Sequence, residues 1–202
     1  MNQHTPAAAN CCVASLLIAC AFLFTGACAQ RTPSGPYTSD SAPDIARNPA
    51  LARELHARAS SLMASDPAQA EQLLRQSLDA DLYHGPAHNN LGVLLLSRGE
   101  LYAAASEFEW ARKLMPGHPD PRVNLAMTLE QAGRFDEAIN AYDSALAVYD
   151  GFLPALQGKT KLQVRRGESG PGMLAALDEI ALRGDSEWRD WALLWRSKIE
   201  SR

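Results

Sequence analysis

The main part of the chain lacks the residues that catalytic and metal sites need. The sequence has four cysteines, and none lies after Cys28. Residues 29–202 therefore hold no disulfide framework, cysteine zinc site or thiol nucleophile. The later histidines are scattered, and no Gly-rich phosphate loop or serine nucleophile elbow occurs. These absences predict a protein with no enzymatic activity, no cofactor and no metal.

Concentrated basic charge is also missing. The formal net charge is −4, and no basic run is longer than Arg165 and Arg166. A nucleic-acid surface needs a concentrated basic face, so nucleic acid is not an expected partner. The sequence also lacks Val/Ile/Thr alternation bounded by turn residues. No strand is therefore predicted, which agrees with the all-α fold that the repeats described below imply.

Residues 1–30 contain no Asp, Glu, Lys or Arg, and they hold an apolar run over Val13–Phe24. An apolar stretch that ends in small residues is typical of a secretory leader. Residues 29–50 contain four prolines among Ser, Thr, Gly and Asp. This composition predicts an extended tether with no core of its own.

The end of the leader, Thr25–Cys28, resembles a bacterial lipobox. The resemblance implies a signal peptide over residues 1–28, with Cys28 as the lipid-bearing mature N-terminus. Because Ala29 rather than Asp follows, it also implies the outer membrane, facing the periplasm. Two alternatives stay open. Cleavage before Gln30 would give a secreted or periplasmic protein, and an uncut leader would remain as a single anchor.

A regular spacing of small and aromatic residues is the main positive feature of the sequence. Glycine recurs at Gly99, Gly133 and Gly167, each 34 positions after the last. Alanine keeps the same period at 70, 104 and 138, and a leucine or aromatic does so at 74, 108 and 142. The period divides the chain into units 51–84, 85–118 and 119–152 and a degenerate unit 153–168. A period of 34 is the length of one helix–turn–helix unit in a tetratricopeptide array.

The repeats resemble the tetratricopeptide repeat family at their signature positions. Those positions are Leu91, Gly92, Ala104, Phe108, Ala111 and Pro116 in one unit and Leu125, Ala126, Ala138, Tyr142 and Ala145 in the next. The resemblance implies a short right-handed α-solenoid that binds protein or peptide partners and no small-molecule substrate. Small side chains at Gly92 and Ala126 are expected to face Ala104 and Ala138, where paired helices approach closely.

In this family, the first helices of successive units line a concave groove. By that resemblance, the groove positions are Leu55, Ala59 and Leu62 in the first unit, and Asn89, Asn90, Val93, Leu96, Val123, Asn124, Met127 and Glu130 in the next two. Asparagine side chains can donate and accept, so they suit the backbone of an extended peptide. The alternative is that Leu55, Val93 and Val123 pack inside the array.

Residues 169–202 are predicted to form a pair of capping helices. On the second, which starts after Asp185, the tryptophans Trp188, Trp191 and Trp195 share one face. This face either closes the core of the last repeat or forms a partner-binding surface, since tryptophan is enriched at binding hot spots.

The architecture resembles that of small tetratricopeptide lipoproteins that assist pilus assembly and secretion. This resemblance implies a non-enzymatic, membrane-tethered adaptor or assembly factor of the bacterial cell envelope. The alternatives are a structural subunit of a larger envelope complex, and a protein of the cell wall that binds glycan or associates with a hydrolase. Exposed aromatics would favour glycan, and groove asparagines favour peptide.

Overall fold

The computed structural model describes residues 47–201, and the predicted leader and most of the tether lie outside them. The described part forms helices without strands. Their bounds are α1 Pro49–Leu62, α2 Pro67–Ala80, α3 Gly85–Ser97, α4 Leu101–Leu114, α5 Asp120–Gln131, α6 Phe135–Val148, α7 Leu153–Arg165, α8 Pro171–Arg183 and α9 Ser186–Glu200. The all-α prediction is confirmed. No helix among these residues is long and apolar enough to cross a membrane.

The helix starts follow from capping residues in the sequence. Asp66 Oδ1 accepts the Gln69 N–H at 3.0 Å, and Pro67 occupies the first helical position. Asp185 caps α9 in the same way, with its side chain accepting from the Trp188 N–H at 3.0 Å. The first helix begins at Pro49 with Asn48 as its cap, so residues 49 and 50 are helical and do not belong to the tether.

Consecutive helices pair as hairpins, and each hairpin packs against the next. The close approach in the second unit lies between Gly92 on α3 and the buried ring of Phe108 on α4. A Cβ at Gly92 would lie 2.6 Å from Phe108 Cε1. Ala104 is the partner that the sequence predicts for Gly92, so the observed contact lies one turn further along the second helix. Tyr142 stands one period after Phe108, but its ring closely approaches Gly158 on α7 of the following unit.

The turns inside the hairpins depend on glycine. Gly99 and Gly133 both have φ of +76°, a left-handed conformation that costs L-residues with a Cβ about 1–2 kcal/mol. Each glycine directly follows the C-cap residue of its helix, α3 or α5. A left-handed residue at this position lets the N–H groups after the helix bond to its last carbonyls. The regular spacing of the glycines is therefore the spacing of the turns within the hairpins, as the sequence predicts.

The buried side chains form two clusters. The larger runs through the hairpins from Leu55 to Leu162. The smaller contains Val164, Met173, Leu177, Ile180 and Ala192, and joins α7 to the last two helices. The three tryptophans of α9 and Ile199 pack against this second cluster. The structure thus shows α8 and α9 closing the C-terminal end of the repeat core.

Candidate functional site

The first helices of successive units form one surface. α1, α3, α5 and α7 each contact the next in that order. Because the units repeat with the glycine period, side chains one period apart occupy equivalent places along this surface. The positions 56, 90 and 124 are His56, Asn90 and Asn124. All three line a single open cavity of about 330 Å³, together with Asn89 and His118.

A row of hydrogen-bonded polar side chains crosses three of these helices. Asn124 Nδ2 on α5 donates to Asn89 Oδ1 on α3 at 2.9 Å. Asn89 Nδ2 donates to Asn90 Oδ1 at 3.4 Å, and Asn90 Nδ2 contacts His56 Nε2 on α1 at 3.0 Å. Asn90 Nδ2 also donates to Ser60 Oγ at 3.1 Å. We call these side chains, from His56 and Ser60 to Asn124, the asparagine ladder.

The histidine at the end of the ladder is partly buried. Burial lowers the pKa of His56, and the neighbouring His84 lowers it further. The two rings meet edge to face with centroids 5.1 Å apart. His84 stands at the start of α3, where burial likewise lowers its own pKa. Near neutral pH His56 is therefore an uncharged imidazole.

The other half of the surface has a different character. A cavity of about 520 Å³ lies between α3, α5 and α7, and its lining is Leu96, Ser97, Met127, Glu130, Gln131, Lys161 and Arg165. Met127 is 47% exposed there. Arg165 Nη1 lies 3.1 Å from Glu130 Oε1. Burial raises the pKa of Tyr142, and the negative charge and hydrogen bond of Glu130 raise it further. This half therefore combines an exposed thioether with paired charges.

The structure separates the predicted groove residues into two groups. Asn89, Asn90, Leu96, Asn124, Met127 and Glu130 line the two cavities. Val123 does not line them, because its side chain is 6% exposed and packs in the core. Leu55 and Ala59 are buried as well, and Leu62 and Val93 are partly buried against the core. On α1 and at the start of α5 the residues that line the cavity, His56 and Asn124, lie one residue after the buried Leu55 and Val123.

Sequence reasoning missed His56 and Ser60 as members of this surface. The period itself carries the signal, because His56 stands one full period before Asn90. It also missed Arg165 on α7, which the degenerate fourth unit brings, together with Lys161, beside Met127. The weak signature of that unit hid the register of its first helix.

A buried ionisable pair lies between the helices of the second unit. His88 is 0% exposed and stands where the repeat pattern prefers tryptophan. Its Nδ1 lies 2.6 Å from Glu107 Oε2, its Nε2 lies 2.8 Å from the carbonyl of Leu82, and its ring stacks on Trp110. The pair ties α3 to α4 and to the preceding turn. Its burial makes it a structural feature.

The remaining predicted sites have clear positions. Trp188, Trp191 and Trp195 are partly buried, and Trp188 meets Trp191 edge to face at 5.3 Å. Their face thus serves the C-terminal core, while Leu193 and Leu194 on the same helix are exposed. Among residues 47–201 no group of three or more metal-ligating side chains comes together. Cys28 lies outside the described residues.

Comparison with known proteins identifies the repeats. A family model described as tetratricopeptide repeat matches residues 95–162. The chain is similar to a crystal structure of MamA, with 21% identity, a TM-score of 0.55, and coverage of 77% of this chain and 84% of that one. No curated protein sequence matches the chain.

Two further solved structures share the fold. The first tetratricopeptide domain of Spaghetti (RPAP3), bound to an HSP90 peptide, is 15% identical with a TM-score of 0.58. The match covers 61% of this chain and 99% of that one. The Thermobaculum terrenum O-GlcNAc transferase, as a mutant, is 21% identical with a TM-score of 0.59 over 69% of this chain and 27% of that one.

The helical hairpins and the surface of first helices define a repeat solenoid of the class that binds proteins or peptides. Within that class, residues 95–162 match the tetratricopeptide repeat family, and the described helices share the fold of a solved tetratricopeptide domain. Such arrays are in general non-catalytic scaffolds that use the surface of their first helices for binding.

Proposed function

We propose that this chain is a membrane-tethered adaptor of the bacterial cell envelope that captures an extended peptide segment of a partner protein. The observation that carries the proposal is the surface of first helices, with the asparagine ladder at one end and the Met127 cavity at the other. Amide side chains suit the peptide backbone, and an exposed methionine adapts to apolar side chains of different shapes.

The ladder leaves hydrogen-bonding capacity for a ligand. Asn124 Oδ1 is the last acceptor of the row, and each amide nitrogen of Asn89 and Asn124 has a second N–H beyond the one used in the ladder. The structure of Spaghetti (RPAP3) is of a repeat domain with a bound HSP90 peptide. This precedent supports peptide capture as the mode of binding proposed for the present chain.

The tethering half of the proposal depends on Cys28 and on the stretch that precedes the first helix. A lipid on Cys28 would fix one end, and the Pro-rich tether would give the repeat domain reach from the membrane surface. An adaptor needs both parts, because capture at a membrane raises the local concentration of the bound partner.

Groove capture can be tested by chemical cross-linking in host cells, followed by purification and mass spectrometry. We expect the Asn89→Ala/Asn124→Ala variant to lose a partner that the wild-type chain retains. The matched control is Gln72→Ala/Asn140→Ala, which removes two exposed amides from α2 and α6. Equal recovery from the ladder variant and the control would overturn capture by the ladder.

Tethering has its own test, in which Cys28→Ser is compared with Cys20→Ser by membrane fractionation. Both changes remove one thiol from the apolar leader, but only the first removes the proposed lipid site. We expect release of the Cys28→Ser protein into the soluble fraction and retention of the control. Membrane retention of both variants would contradict lipidation at Cys28.

A further inference from the structure

The hydrogen bonds of the asparagine ladder all run in one direction. Each amide nitrogen donates toward α1, from Asn124 to Asn89, from Asn89 to Asn90, and from Asn90 to His56. An amide NH₂ group has no acceptor lone pair to offer, so His56 Nε2 must be the acceptor in the last bond. His56 is then the neutral tautomer with its proton on Nδ1, and the direction of the whole row depends on that lone pair.

Protonation of His56 removes the lone pair. An imidazolium carries N–H on both nitrogens, so Nε2–H would face the N–H₂ of Asn90 at the present 3.0 Å. A flip of the Asn90 amide, which exchanges its oxygen and nitrogen, relieves the conflict because the oxygen then accepts from His56. The oxygen and nitrogen of an amide are nearly equal in size, so this flip needs no movement of the backbone.

The conflict then passes along the row. With Asn90 flipped, its NH₂ faces the NH₂ of Asn89, and a flip of Asn89 transfers the same conflict to Asn124. The Ser60 hydroxyl donates to the His56 carbonyl at 2.9 Å and accepts from Asn90 Nδ2 at 3.1 Å. After the flip it can turn its proton from that carbonyl to the Asn90 oxygen. We propose that protonation of His56 reverses the asparagine ladder, so that its Asn124 end changes from a hydrogen-bond acceptor to a donor.

The charged and titratable groups around His56 come from several elements. His84 at the start of α3 meets its ring edge to face, and His118 and Asp120 line the same cavity from the α4–α5 turn and α5. Burial and His84 both oppose the charge on His56 and lower its pKa. The reversal is therefore expected on the acid side of neutrality.

For the peptide proposed as ligand, the reversal changes what the groove recognises. Above the transition Asn124 Oδ1 offers an acceptor to a peptide N–H, and below it the same place offers a donor to a peptide carbonyl. A peptide seated in one register loses this bond when the ladder reverses, so acidification weakens its capture. This consequence rests on the proposed function, but the reversal itself does not.

The test is an NMR pH titration of the full chain without any partner, following the His56 ring and the side-chain amides of the three asparagines. We expect an unprotonated Nε2 at neutral pH and amide shifts at all three asparagines with the midpoint of His56. In Asn89→Ala the Asn90 amide should still follow His56, while the Asn124 response is lost. His118→Ala is the matched control and should leave the Asn124 response intact.

A second variant covers the case in which Asn89→Ala perturbs the fold. His56→Gln keeps a polar side chain but cannot titrate, so the amide shifts should disappear at all three positions. An Nε2-protonated His56 at neutral pH, or an Asn124 response that survives either the Asn89 or the His56 change, would overturn the proposal. Neither result bears on peptide capture at neutral pH, which the cross-linking comparison tests.

Discussion

Replacing Gly92 with alanine adds one methyl group at a close contact between α3 and α4. The new Cβ would lie 2.6 Å from Cε1 and 2.9 Å from Cδ1 and Cζ of Phe108. Carbon atoms in good contact lie about 3.5–4.0 Å apart, so the two helices must separate or the buried ring must move. Phe108 is 0% exposed and packs within the larger core cluster, so a move of the ring displaces its neighbours.

Two effects of the Gly92→Ala change oppose each other. Alanine is favoured over glycine inside a helix by about 0.5–1 kcal/mol, whereas overpacking a core costs about 1–3 kcal/mol. We expect the overlap to dominate and to lower the free energy of unfolding by about 1–2 kcal/mol. For a domain of this size each kcal/mol corresponds to about 2–4 °C in Tm.

The assay for Gly92→Ala is thermal unfolding followed by circular dichroism, with Gly172→Ala as the control. Gly172 is an exposed residue at the start of α8, and an added Cβ there meets nothing within 4 Å. The double variant Gly92→Ala/Phe108→Leu should lose less free energy of unfolding than the two single variants together, because the smaller Leu side chain makes room for the added methyl group. A Tm for Gly92→Ala at or above that of Gly172→Ala would refute the close approach.

Three further predictions concern stability and use equilibrium unfolding in denaturant. Glu107→Ala should lower the free energy of unfolding by about 3–5 kcal/mol, because it leaves a buried histidine without its carboxylate. The control Glu109→Ala, on the solvent side of α4, should lower it by less than about 1 kcal/mol. Equal losses from the two changes would contradict the buried pair. Gly133→Ala should cost about 1–2 kcal/mol because its φ is +76°, and a neutral result would count against the left-handed turn. The hydrogen bond from Arg47 lowers the pKa of Asp81, so this pair stabilises the fold at neutral pH, and its contribution is lost as pH falls through the lowered pKa. Arg47→Gln should reduce the loss of stability between neutral pH and pH of about 3, and an unchanged pH profile would contradict this role of the pair.

The hairpins could be predicted from the sequence because their determinants are local and periodic. Glycine at the turns, small side chains at the helix contacts and Asp66 before a proline each specify a backbone feature by themselves. The position of α8 and α9 could also be predicted, since their apolar residues recur with helical spacing.

The site could be predicted only in outline. The period places Asn90 and Asn124 on one surface, but which residue of a first helix faces the groove depends on how the paired helix is rotated. That rotation buries Val123 and leaves its neighbour Asn124 partly accessible. Likewise, no sequence pattern indicates that His88 meets Glu107 across the hairpin, because the two residues lie 19 positions apart.

The central claim is that a partner lies across the surface of first helices. It is tested most directly by placing a photoreactive amino acid at Met127 in the full chain and, as a control, at Leu182, which is 81% exposed on α8. We predict a discrete adduct from position 127 that Asn89→Ala/Asn124→Ala abolishes, and no such adduct from position 182. Absence of an adduct from position 127, or the same adduct from both positions, would contradict the account.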